Sequence, residues 1–136
     1  SGAAATFSGG LTLGVHGEAT GPHCAAAGNM LSRADLPAIM CAAFASAGGE
    51  LEERLLTALS AALAAGGEAG PVYSAGLSTV SGHGWRDTDL RVDWQDEPVE
   101  ALGRLLDVWL PQREDYVQRG LDPAASPGYG VPGDDR

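Results

Sequence analysis

Hydrophobic and polar positions change their period several times along the chain, and each change marks an element. Residues 3–8 and 11–17 are short segments divided by Gly9-Gly10, a spacing that predicts a β-hairpin with a two-residue primed turn. The pattern then breaks at Gly21-Pro22, and 24–27 can be taken as a third strand. Asp35 stands before Leu36-Pro37 as a helix N-cap with proline in the first turn. Ile39, Met40, Ala43 and Phe44 follow at helical spacing until Gly48-Gly49. Leu51, Leu55, Leu59 and Leu63, widened by Leu56, form an apolar stripe that predicts an amphipathic helix over 50–65.

The second half repeats the order. Residues 72–81 carry Tyr73, Leu77, Thr79 and Val80 and predict a strand. In 88–94, Leu90, Val92 and Trp94 alternate with Asp89, Arg91 and Asp93, the pattern of a half-exposed strand. Glu97-Pro98 opens a last long helix with Val99, Leu102, Leu105, Leu106 and Trp109 on one face, broken or kinked at Pro111. Strands, two helices, strands and a helix predict an α+β class, with antiparallel sheets and segregated helices. Residues 1–119 form the expected domain. In 120–136 Gly, Pro and Asp dominate, and a flexible tail is expected.

Composition narrows the classes of function. The net charge of −10 leaves no basic surface for phosphates, so no nucleic-acid partner is expected. All eight basic residues are Arg, and without Lys no Schiff-base mechanism can run within this chain. No apolar run approaches the roughly 18 residues of a membrane span, and the opening residues lack a leader's basic and apolar regions. A cytoplasmic protein without a membrane partner is expected. Cys24 and Cys41 are 17 positions apart and neither belongs to a CxxC pair, so buried free thiols are the simplest reading, with a single disulfide as the alternative. His16, His23, His83 and the two cysteines match no metal-ligand spacing, and neither metal nor cofactor is expected.

Two motifs carry a resemblance. Gly28-Asn29-Met30-Leu31 is followed some sixty residues on by the run from Asp89 to Val108, with two Ala/Leu-rich helices between. In that order they resemble the second half of the bacterial family numbered ten twenty-eight among the domains of unknown function. That family is generally placed in the N-terminal-nucleophile (Ntn) hydrolase superfamily. The resemblance covers roughly residues 3–117. It implies half or most of an αββα sandwich, a companion N-terminal half or subunit that supplies the family's own opening nucleophile, and an oligomeric state. The substrate implied is a small molecule or peptide with an amide-type bond. A non-catalytic binding or assembly module that keeps the fold is the alternative.

Three residues are the candidate catalytic groups. The Asn29 amide can donate to a developing oxyanion, while a Gly-Asn turn that bonds its own backbone is the structural alternative. His16 stands where the family shows Gly-His shortly before Thr-Gly. An imidazole there can serve as general base or acid, or sit as a satisfied strand histidine. Ser1 can combine a nucleophilic hydroxyl with a free α-amino base, although the alignment places it mid-family and Ser-Gly is also a common remnant of expression cloning. Asp89, Arg91 and Asp93 share one strand face as an ion-pair ladder or, with Arg91, as a carboxylate clamp. The chain departs from the family in two places. Gly21-Pro22-His23 replaces Gly-Glu-Gly, and around Gly70–Ala75 an Arg and a Gln are lost, with Tyr73 in place of the Gln.

Overall fold

The computed structural model describes residues 2–128 and 130–133. Its elements run β1 (Gly17–Gly21), β2 (Cys24–Gly28), α1 (Leu36–Ser46), α2 (Leu51–Ala64), β3 (Ala75–Val80), β4 (Arg86–Val92), α3 (Pro98–Trp109) and α4 (Arg113–Leu121). Short 3-10 turns lie at Leu110–Gln112 and Pro123–Ala125. β1 pairs with β2 and β3 with β4, each pair antiparallel and each a sheet of two strands. The class is α+β. α1 packs on the first hairpin and on α2, while α2 and α3 pack on the second hairpin. None of the described helices is long and apolar enough to cross a membrane.

The first hairpin turns about thirteen residues later than the pattern predicts, the run 24–27 taken as a third strand is its second strand, and residues 2–16 contain no strand. The reason is what each stretch can bury. Phe7, Leu11 and Leu13 stay exposed, Phe7 at 88%. By contrast Gly17, Ala19, Gly21, Cys24, Ala26 and Gly28 form one half-buried face of small residues. Small side chains let a helix approach the sheet closely. Gly17 lies so near the carbonyl of Ala34 that a Cβ there has no room. The turn itself is Pro22-His23, where proline fixes the first corner and His23 takes a φ of 62°, the φ pattern of a type II turn.

The helices sit where the pattern predicts them, with local differences. Asp35 occupies the N-cap of α1 but makes no capping bond, because its carboxylate is held by Arg33. α2 is capped instead by a box in which the Glu53 carboxylate accepts from the Glu50 amide at 2.7 Å. The leucine stripe is only partly inward. Leu51 and Leu63 at its ends are exposed, and the helix is turned so that Glu52 and Ala58 are its most buried residues. On α3, Val99, Leu102 and Leu106 are buried with Leu36, Phe44, Leu77 and Val117, whereas Leu105 is exposed. Pro111 ends α3 in a 3-10 turn, and α4 starts at once. The segment expected as a tail begins within α4. It continues through the Pro123–Ala125 turn, with Ser126 buried and the Arg119 guanidinium donating to the Pro127 carbonyl at 2.7 Å.

Candidate functional site

Two arrangements of polar residues stand out, one at each hairpin. At the first, backbone pairing continues beyond the Gly17–Gly28 pair. The Leu31 amide donates to the Val15 carbonyl at 2.8 Å, and the Met30 amide donates to the Leu13 carbonyl at 3.2 Å. This register sets His16 and Asn29 on adjoining segments at the open end of the hairpin, both exposed. One amide hydrogen of Asn29 goes to the Leu13 carbonyl at 3.3 Å, which leaves the second free. His16 Nδ1 lies 3.3 Å from the Gly14 carbonyl, so a proton held there leaves Nε2 as an acceptor. Asn29 is therefore not spent on a bond within its own turn. Met30 beside it takes a φ of 53°, and an isolated bridge between Leu31 and Glu68 ties this corner to the loop after α2. Ser1 lies outside the described residues.

Next to this corner is a mostly apolar cavity of about 220 Å³, bounded by Gly28 and Leu31 on one side and by Ser74, Ala75 and Gly76 on the other. Leu59 and Leu63 of α2 close its floor. Neither His16 nor Asn29 lines it. A row of exposed apolar side chains at alternate positions, Leu11, Leu13 and Val15, leads up to the corner from Phe7, with Met30 also exposed.

The second arrangement is buried. Glu52, 1% exposed, accepts from Thr79 Oγ1 at 2.8 Å and Thr88 Oγ1 at 2.7 Å, and from Arg113 at 3.0 Å. Thr79 and Thr88 are register partners on β3 and β4, so one carboxylate clamps both strands to α2. Trp109 Nε1 donates to Thr88 Oγ1 at 2.9 Å and brings in α3. Burial pushes the Glu52 carboxyl up, but the hydroxyl of Thr88, the backbone, Thr79 and Arg113 together hold it below its ordinary value. Arg113 is lowered by burial and raised more strongly by Glu114, Glu52 and Glu50, with a net upward shift. Above the knot lies an acidic cavity of about 260 Å³ edged by Glu50, Asp87, Glu114 and His83. A register shift between Thr79 and Val80 leaves Asp87 as an extra residue on β4, and its buried Oδ1 has no hydrogen-bond partner.

Sequence reasoning missed this knot. The signal was present: Glu52 falls three, four and seven residues before Leu55, Leu56 and Leu59, on the apolar face itself. The ladder Asp89, Arg91 and Asp93 lies on the exposed face of β4, with Arg86–Asp89 and Arg91–Asp93 as its ion pairs. Those pairs are solvated and contribute little. Among the described residues no three His, Cys, Asp or Glu side chains converge as a metal-binding group.

The comparisons with known proteins bear on most of the chain. The family model described as "Family of unknown function (DUF1028)" matches residues 1–102. A crystal structure of protein SPO2555 from Silicibacter pomeroyi, itself assigned to DUF1028, superposes with a TM-score of 0.70 and 29% identity. The match covers 83% of this chain and 49% of that one, so the chain spans about half the length of this solved relative. No curated protein matches.

Proposed function

The chain belongs to the DUF1028 family of unknown function, and from that premise we propose that it is one half of a composite hydrolase-type domain. That half acts on an amide-type bond in a small molecule or peptide. The resemblance to Ntn hydrolases supplies the reaction class. The observation that carries the reading is the shared corner of His16 and Asn29, fixed by the continued pairing of Leu13 and Val15 with Met30 and Leu31. There the free amide hydrogen of Asn29 donates to the oxyanion of a tetrahedral intermediate. Nε2 of His16 takes the proton of the attacking group and returns it to the leaving amine. The nucleophile comes from Ser1 or from the companion half.

The companion, in the same polypeptide or a second chain, closes the corner. It covers Phe7, Leu11, Leu13 and Val15, which stay exposed among the described residues, and pairs with the open strand edges. A second reading is a non-catalytic assembly module. The cavity beside the corner, which neither His16 nor Asn29 lines, favours it, as does Pro22-His23 in place of the acidic residue shown by the family. The experiment is turnover of a panel of small amides by the complete assembly, before and after Asn29→Ala. The hydrolase reading expects a loss on the order of a hundredfold or more with an unchanged melt. An assembly that binds its companion yet cleaves none of the panel, with Asn29→Ala indistinguishable from the parent, would leave the module reading in its place.

A further inference from the structure

Cys24 and Cys41 lie far apart in sequence, one opening β2 and the other in the middle of α1, yet both press on the same glycine. Gly21 is the register partner of Cys24 at the turn end of the first hairpin. A Cβ built on Gly21 would meet Cys24 Sγ at 3.1 Å, Cys41 Cβ at 3.3 Å and Cys41 Sγ at 4.0 Å. Both thiols are free, Cys24 half-buried and Cys41 buried. The Cys41 thiol donates to the Ala19 carbonyl over a long 3.7 Å.

We propose that Cys24 and Cys41 are a modification site that closes to an intramolecular disulfide by exchange with a low-molecular-weight disulfide, stapling the turn of the first hairpin to α1. The order of events follows from access. The Cys24 thiolate attacks one sulfur of the small disulfide, that S–S bond breaks, and one small thiol leaves. Cys41 then loses its proton and attacks Cys24 Sγ in the mixed disulfide, which expels the second small thiol. Two protein thiols give up two protons and two electrons, and the small disulfide is reduced to two thiols. Burial, with Cys24 beside it, pushes the Cys41 thiol up, which suits the second role rather than the first. The closed loop of residues 24–41 is long enough for the cross-link to restrict the unfolded chain appreciably. The staple sits at the end of the hairpin opposite His16 and Asn29, so it stands independently of the hydrolase reading.

The test treats the complete native protein with oxidised glutathione, blocks remaining thiols by alkylation, and measures intact mass followed by a non-reducing peptide map. The expected product has lost two hydrogens, keeps no glutathione, and yields one cross-linked peptide that joins Cys24 to Cys41. Its melting temperature rises by about 10 °C and falls back on reduction. Cys41→Ser, which lacks the second thiol, should retain glutathione on Cys24. A parent protein that keeps the glutathione adduct, cross-links between two chains, or remains fully alkylatable overturns the proposal.

Discussion

The two hairpins of this chain have the same topology and opposite fates for their polar groups. β3 and β4 turn Thr79 and Thr88 inward, where both donate to Glu52, Trp109 donates to Thr88 and Arg113 donates to Glu52, and the result is a buried network joining three helices to one sheet. β1 and β2 turn only small residues inward, and the polar residues that flank them, His16 and Asn29, stand exposed at the open end beside exposed Leu13, Val15 and Met30. A buried and shifted carboxylate is therefore the scaffold here. On the proposed reading the chemistry belongs instead to His16 and Asn29, held at the first hairpin by backbone register and by the bond from Asn29 to the Leu13 carbonyl. One region buries its polar groups, and the other leaves polar and apolar groups alike exposed.

The largest expected effect breaks the buried region. Glu52→Ala removes the acceptor of both threonines and one partner of Arg113, and urea denaturation should show a loss of about 3–5 kcal/mol. A loss below about 1 kcal/mol would mean the network adds little to the second sheet. Removing the indole donor with Trp109→Phe should cost about 1 kcal/mol in the same assay.

Acid sharpens the same contrast. Because the folded Glu52 carboxyl lies below its ordinary value, its contribution is fully present above the unfolded value of about 4.3 and is lost as pH falls through the folded value. Melting followed from pH 6 downward should therefore show stability falling off below about pH 4. Glu52→Gln should remove part of that dependence. A wild-type and variant that lose stability in parallel would assign the acid sensitivity to other carboxylates.

The smallest effect on the chain itself belongs to the exposed region. Replacing Phe7 and Leu13 by Ser should change unfolding free energy by less than about 0.5 kcal/mol, since both are already in water. The same pair should weaken association with the companion by at least about tenfold, a difference that isothermal titration resolves. A strongly destabilised but normally associating variant would reverse the roles assigned to the two regions.

The helices were legible because leucines at helical spacing bounded by Gly-Gly pairs leave few alternatives. The second hairpin was legible through the alternation of Leu90, Val92 and Trp94 with charged residues, although β3 ends one residue and β4 two residues earlier than the pattern predicts. The first hairpin was not, because glycine and alanine have little strand preference of their own and are chosen here for the close approach of α1. Phe7 and Leu11 looked like strand residues seeking a core, and the described residues leave both exposed. Glu52 escaped notice because a charge on an apolar face is informative only once its three donors, from β3, β4 and α4, are known. His16 and Asn29 were readable as residue types, but only the continued register shows that they share a corner.

The composite domain is tested most directly by native mass spectrometry of the protein purified under non-denaturing conditions from its own source. The account predicts that residues 2–16 travel covered, with a companion of similar size to this chain in the same assembly or the same polypeptide. A species of 13.8 kDa, alone in solution and melting in one sharp transition, would contradict it.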